Sequence, residues 1–423
     1  MINKMAISDW RSMRFNRQVV EFSYKGIPMV GNTGNGYVIG LTQDGLGICH
    51  KMFDSDMAED DIRAVDENLL IHLEKGGFFT EKPSRQPITT AYLHVTQNCN
   101  LSCIGCYSYD SRRNDSEDPS FEKITQAISQ LSAHGIKRLV ISGGEPFLRE
   151  DLPAIVKYAK ETCEIGCVDV ITNGTVVDSE QLKLIAPFIS RICVSFDGYS
   201  ENSAAYIRKE QRFSQLVETV KNIQRAGIHA HLTPTIHAKN YKDIKEYFEL
   251  SKQLNTTITF SLFSAPYDQE ATYCLIPSVQ DLENIAGIIA YTSDELASLF
   301  QDMPTSKNLT VKTSCGAAQG IISISYDGKV YPCHMLHDDR FLMGSIFDDC
   351  LDKTLDGDVC REMADINIES IAACSNCEVR FFCGGGCRAR SFYLNGGVYG
   401  RDPYCNLMKT FYDLSFRKML ATN

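Results

Sequence analysis

A chain of 423 residues that is 43% hydrophobic and 22% charged, with a single Trp, has the profile of a globular protein large enough for two or three domains. Its 42 basic and 53 acidic residues leave a net charge of −11, which argues against nucleic acid as a general partner. No apolar run approaches the roughly 20 residues that span a bilayer, and the polar N-terminus lacks the apolar stretch of a signal peptide. The expectation is a cytoplasmic protein with no membrane partner. Seventeen cysteines without an export signal point to metal binding rather than disulfides.

In chain order, 19–25, 27–30 and 37–42 read as short strands joined by Gly-rich turns, among them Gly31-Asn32-Thr33-Gly34-Asn35-Gly36. An acidic stretch at 54–66 leads into a helix at 67–75, with Leu69, Leu70 and Leu73 on one face and Gly76-Gly77 as its stop. Residues 1–85 therefore form a small α+β module. Its exposed sheet edge can accept a peptide as an added strand. A linker with two prolines follows at 81–87.

From Thr90 onward strands and helices alternate, the pattern of βα units around a parallel sheet. Strands are expected at 91–96, 138–142, 168–172, 191–195, 229–235 and 257–262, and helices at 121–133, 152–162, 179–185, 213–226 and 241–254. Six such units make a partial (β/α)6 barrel over 88–265, and function in such barrels gathers where the strands end. After the first strand comes TQNCNLSCIGCY, with Cys99, Cys103 and Cys106 spaced C-x3-C-x2-C. Three thiolates on so short a loop can hold three corners of a cubane iron–sulfur cluster and leave the fourth iron open. The acidic run at 110–118 reads as a solvated loop. The second strand ends in Gly143-Gly144-Glu145, the third in Thr172-Asn173-Gly174 and the fourth in Ser195-Phe196-Asp197-Gly198.

The triplet and these strand ends resemble the radical S-adenosylmethionine (SAM) enzymes. The resemblance implies that SAM chelates the open iron. It also implies that Gly143, Gly144 and Glu145 meet the amino group of SAM, that Asn173, Ser195 and Asp197 lie at its site, and that Arg208 faces its carboxylate. One departure stands out. The residue before the third cysteine is commonly aromatic in that family but is Gly105 here, with Tyr107 after the cysteine instead.

A helical bridge is expected at 266–314, followed by a cysteine-rich domain at 315–423. Cys315 and Cys333 precede Cys374-x2-Cys377-x5-Cys383-x3-Cys387, and Cys405 follows. Taken alone, such pairs suit tetrahedral zinc as well as iron–sulfur clusters. The array resembles the SPASM extension of radical SAM enzymes that act on peptides. This implies one auxiliary cluster on Cys374, Cys377, Cys383 and Cys405, and a second on Cys315, Cys333 and Cys387. The second lacks a fourth thiolate, so either one iron is open or Cys274, Cys350 or Cys360 completes it. Cys49 and Cys193 read as core thiols, and Cys163 and Cys167 as packing.

The expected protein is a radical SAM maturase of ribosomally made peptides with three iron–sulfur clusters, resembling the enzymes that form thioether crosslinks. Its partners would be a precursor peptide, whose leader the winged-helix-like N-terminal module would hold, and a reductant such as flavodoxin or ferredoxin. Three alternatives remain. They are a sulfatase-type maturase making formylglycine, a peptide epimerase or carbon–carbon crosslinking enzyme, and a non-enzymatic iron–sulfur or zinc scaffold.

Overall fold

The computed structural model describes residues 12–80, 87–264, 270–292 and 309–421. Most of the linker expected at 81–87, and much of the bridge expected at 266–314, lie outside the described residues.

The chain begins with β1 (Ser12–Met13), β2 (Val19–Tyr24), β3 (Ile27–Asn32), β4 (Tyr37–Gly40) and β5 (Met57–Ala58). β2, β3 and β4 form an antiparallel sheet, and β1 pairs with β5. The helix Gln43–Asp54 is capped by Thr42, whose hydroxyl accepts from the Gly45 amide, and Asp66 caps the helix Glu67–Lys75 in the same way. Side chains alternate across the sheet. Val19 and Val30 face a local core with Ile48, Met52, Leu70 and Phe78, while Phe22, Tyr24 and Met29 join the main core. On that second face Phe22 meets Phe381 with ring centres 4.9 Å apart, and Tyr24 meets Phe416 at 4.9 Å. The module is therefore seated on the C-terminal domain.

The central strands are β6 (Thr90–Thr96), β7 (Arg138–Gly143), β8 (Cys167–Thr172), β9 (Arg191–Val194), β10 (Ala230–Leu232), β11 (Thr235–Ile236), β12 (Thr257–Ile258) and β13 (Ser261–Leu262). They are followed by β14 (Ile321–Ile324), β15 (Lys329–Tyr331) and β16 (Gly344–Ser345). One nine-stranded sheet runs β12-β10-β9-β8-β7-β6-β14-β15-β16. Its pairings are parallel from β12 to β14 and antiparallel beyond. This is the expected partial barrel, with the cysteine-rich domain continuing its sheet. The single strands expected at 229–235 and 257–262 are each interrupted, giving the separate pair β11 and β13. Pro234, which has no N–H to donate, stands at the first break.

The outward faces of β6 to β9 carry fully buried apolar side chains such as Leu93, Val95, Leu139, Ile141, Val168 and Val170. The inward face is polar and aromatic. It carries Tyr92, His94, Ser142, Asp169 and Cys193, with His334 stacked on Tyr92 at 4.3 Å and His337 4.7 Å from His94.

Candidate active site

The triplet loop leaves the end of β6 and is tied down at once. The Asn98 amide donates to Thr96 Oγ1 at 2.9 Å, and the Cys99 amide donates to Asn114 Oδ1 at 2.8 Å. Asp118 Oδ1 accepts from Thr96 Oγ1 and from Asn98 Nδ2. Asn114 and Asp118 belong to the run at 110–118, so that stretch is a brace for the cysteine loop as well as a surface loop. The sign available in the sequence was Arg112-Arg113-Asn114 interrupting the acids.

Gly105 has a φ of 64°, in the left-handed region. An aromatic residue there would be strained, which accounts for the departure at that position. Tyr107 is committed to the interior. Its hydroxyl lies 2.6 Å from Ser142 Oγ, and its ring meets His94 and His334 edge-on.

The two glycines at the end of β7, Gly143 and Gly144, lie directly against the backbone of the cysteine loop. A Cβ on Gly143 would stand 2.3 Å from Thr96 O, and one on Gly144 would stand 2.0 Å from Asn98 O. This contact lets the Gly144 amide donate to Thr96 O and the Glu145 amide donate to Asn98 O, each at 2.8 Å. Glu145 is fully buried, and burial pushes its carboxyl up to about 7. Its Oε1 accepts from the Phe147 amide and Thr172 Oγ1, and its Oε2 accepts from the Asn173 amide at 2.7 Å. The side chain therefore stitches β7 to the end of β8 and has little accepting capacity left. Asn173 Nδ2 donates to Asn100 Oδ1 at 2.9 Å and lies 3.9 Å from Cys99 Sγ.

From the end of β9, Asp197 Oδ2 accepts the amides of Ile207 and Arg208, each at 2.7 Å. Ile207 O in turn accepts the Ile104 amide of the cysteine loop at 2.9 Å. Arg208 is thereby hung beside the triplet, and its charge acts on both Cys103 and Glu145. Its Nε is buried with no hydrogen-bond partner. Ser195 lies one residue past β9, its amide donating to Thr172 O at 3.0 Å.

Burial pushes Cys103 up to about 11, and the neighbouring Cys106 and Cys99 add to the rise. Cys99 is raised in the same way. Cys99 and Cys103 thus lie beside Cys106 and beside each other in a setting that favours their protonated thiols until a metal centre takes the proton's place.

The C-terminal cysteines fall into two groups by proximity. Burial raises Cys333, with Cys387 and Cys315 as its cysteine neighbours. Burial likewise raises Cys374, beside Cys405 and Cys377, and pushes Cys383 up to about 12, beside Cys405 and Cys374. None of the seventeen cysteines is joined in a disulfide. Among the described residues no set of three or more His, Cys, Asp or Glu donors is arranged around a single metal ion. Cys383 and Cys387 are separated by three glycines with φ of 65°, 85° and 71°, a left-handed run that side chains would resist. Asp402 clamps this turn. It is buried, accepts the Cys387 amide and the Tyr404 amide, and pairs two-pronged with Arg390 at 3.0 and 2.8 Å. Burial alone would raise the Asp402 carboxyl, but Arg390 outweighs it and holds it below the ordinary range. Nothing in the cysteine spacing announced Asp402, because its role depends on a fold that returns over twelve residues.

Of the possible fourth ligands, Cys274 and Cys350 are exposed and Cys360 is buried. Cys49 and Cys193 are core residues, each pushed up to about 12 by burial. Cys163 lies 3.8 Å from Ser129 Oγ, and Cys167 lies 3.5 Å from Asp169 Oδ1. Among the described residues no helix is long and apolar enough to cross a membrane.

Residues 93–251 match the radical SAM superfamily, and residues 315–378 match SPASM, an iron-sulfur cluster-binding domain. Mycofactocin maturase MftC of Mycolicibacterium smegmatis is 26% identical over 74% of this chain and 81% of its own length. An AdoMet-dependent heme synthase of Methanosarcina barkeri is 25% identical over 74% and 94%. The subtilosin biosynthesis protein AlbA of Bacillus subtilis is 25% identical over 78% and 75%. Among solved structures, anSMEcpe with bound AdoMet superposes with a TM-score of 0.64 at 16% identity, covering 79% of this chain and 98% of that one. Streptococcus suis SuiB bound to its precursor peptide SuiA superposes with a TM-score of 0.59 at 14% identity, covering 93% and 99%. The radical SAM domain implies SAM and a 4Fe-4S cluster, and the SPASM domain implies auxiliary iron–sulfur clusters.

Proposed function

We propose that this chain, which belongs to the radical SAM enzymes that carry a SPASM domain, modifies a ribosomally made peptide by forming a thioether between a cysteine sulfur and a peptide carbon. Its relatives include proteins named as maturases and as a bacteriocin biosynthesis protein. The observation that carries the reading is the pairing of a SAM-type rim with a second thiol group of three, Cys315, Cys333 and Cys387.

In this reading Cys99, Cys103 and Cys106 hold the SAM-binding cluster. Cys374, Cys377, Cys383 and Cys405 hold one auxiliary cluster completely. Cys315, Cys333 and Cys387 hold the other, with one coordination position left for a substrate thiolate. When bound there, the cluster and SAM would supply radical abstraction of a hydrogen atom from an unactivated carbon. Arg208 suits SAM's carboxylate, because its buried Nε has no protein acceptor and a guanidinium pairs with such a group two-pronged. Asp197 positions Arg208 through its amide. Glu145 and Asn173 hold the ends of β7 and β8 in register, and Gly143 and Gly144 bring the cysteine loop against them. The edge of β4, which pairs only with β3 among the described residues, would receive the leader of the peptide. A cytoplasmic setting with a flavodoxin- or ferredoxin-type reductant completes the picture.

Thioether formation exchanges one C–H and one S–H bond for a C–S bond: one hydrogen leaves as an atom to the adenosyl radical, the other as a proton, and the remaining electron would pass to an auxiliary iron–sulfur cluster. Reduced enzyme, SAM and a candidate precursor should give 5′-deoxyadenosine and a peptide lighter by two hydrogens per crosslink. An unchanged mass with deuterium uptake at an α-carbon would assign epimerisation instead. A product lighter by ~18 Da per Cys→formylglycine conversion, the net of losing one sulfur and two hydrogens and gaining one oxygen, would assign the sulfatase-type reaction. Slower amide exchange across β4 when precursor is added would support leader docking at that edge.

A further inference from the structure

The loop that braces the cysteine triplet also delivers a cation to it. Arg113 Nη1 donates to Cys106 Sγ at 3.5 Å, while Nη2 donates to Ser108 O at 2.7 Å and to Ser108 Oγ at 3.0 Å. Ser108 Oγ donates to Gly143 O at 2.7 Å and lies 3.4 Å from Cys106 Sγ, so the guanidinium is held against the sulfur by the same turn that leads from the third cysteine. The nearby carboxylates are occupied elsewhere. Arg112 pairs with Asp110 and Asp327, and Asp118 accepts from Thr96 and Asn98. Among the described residues no carboxylate pairs with Arg113, and its Nε is buried without a partner.

We propose that Arg113 is a positioning residue whose charge, directed at Cys106 Sγ, holds the reduction potential of the SAM-binding cluster up. This rests on Cys106 being a ligand of that cluster. A cluster gains one negative charge on reduction, and a cation hydrogen-bonded to a ligand sulfur stabilises that reduced form more than the oxidised one. The interaction is strong because the contact is partly shielded from water. Asn173, a neutral donor 3.9 Å from Cys99 Sγ, acts with the same sign and more weakly. A plain structural role is the rival reading, since Arg113 also fastens Ser108. The two differ in what charge alone should do.

The test is an anaerobic redox titration of reconstituted enzyme, following by electron paramagnetic resonance the reduced signal that changes when SAM is added. The neutral R113Q and R113M should assemble the cluster with wild-type iron content and titrate at a more negative midpoint, while R113K, which keeps the charge, should stay near the wild type. Wild-type midpoints in R113Q and R113M would overturn the proposal. So would a shift in R113K equal to theirs, or loss of the cluster in both neutral variants with retention in R113K. C106A is measured alongside. If it keeps the SAM-responsive signal, the ligand assignment fails, and that outcome is distinct from failure of the Arg113 argument.

Discussion

Gly144→Ala tests how tightly the cysteine loop is docked on the barrel. The added Cβ would stand 2.0 Å from Asn98 O, 2.6 Å from Asn98 C and 2.8 Å from Gln97 O, all of them backbone atoms. No side chain can swing away to relieve these contacts, so the loop itself must retreat by more than ~1 Å to reach an ordinary separation. That retreat breaks the donations from Gly144 to Thr96 O and from Glu145 to Asn98 O. Two backbone hydrogen bonds at about 1 kcal/mol each, with overpacking strain of similar size, bring the cost to about 2–4 kcal/mol. The loss falls on the loop that carries Cys99, Cys103 and Cys106, so the folded protein should bind about a third less iron if each of three clusters holds four. Iron and sulfide assays on anaerobically reconstituted protein read this directly, and far-ultraviolet circular dichroism checks the fold. Gly47→Ala is the control. Gly47 is an exposed residue within a helix with nothing within 4 Å of its added Cβ, and this change should be neutral or slightly stabilising. Wild-type iron and SAM cleavage in Gly144→Ala would refute the argument.

Asp402→Ala should strip the auxiliary sites, because it strands the buried Arg390 guanidinium and releases the amides of Cys387 and Tyr404. The cost is about 3–5 kcal/mol, read as a lower melting midpoint together with iron loss, and a wild-type profile in both would count against it. Stability should fall with acid over a defined window. His231 and His237 are buried, and burial lowers both from 6.5 to about 4. They are neutral in the fold and charged in the unfolded chain below 6.5. Their contribution is therefore whole above about 6.5 and lost as pH falls toward about 4, worth about 3 kcal/mol each. The melting midpoint of His237→Asn should change less than that of the wild type between pH 7 and 5, and equal slopes would sink this account.

The barrel was legible because each strand carries an apolar outward face and ends in a short polar turn, and β6 to β9 begin and end within a residue or so of the periodic pattern. The break between Ala230–Leu232 and Thr235–Ile236 was readable in principle from Pro234, whereas the break between Thr257–Ile258 and Ser261–Leu262 carries no such mark. The triplet was legible because Cys99, Cys103 and Cys106 share one short loop, whereas spacing does not by itself give the C-terminal groups: Cys383 neighbours Cys374 and Cys405, while Cys387, on the same turn, neighbours Cys333. The residues that steer these thiols were not legible. Arg113 and Asn114 look like ordinary surface residues until the loop folds back on Cys106 and Cys99, and Asp402 looks unremarkable until Arg390 is found beside it. The Gly-Gly of the second strand was visible, but the close approach of the cysteine-loop backbone to it was not, because that contact depends on how the loop folds.

The parallel pairing of β14 with β6 has a consequence for anyone recombining this chain with its relatives. Four residues, Ile321 to Ile324, run alongside Thr90 to Leu93, so the strand that launches the cysteine loop has a barrel strand on one side and a strand of the cysteine-rich domain on the other. A chimera cut between the two domains would replace the neighbour of β6 and could shift its register, turning inward residues outward. The safer crossover keeps β14 with the barrel and joins beyond it, at the turn before β15. Grafts made there should keep the backbone register of the strand that carries Tyr92 and His94, provided that His334 and His337, which pack on them, are retained.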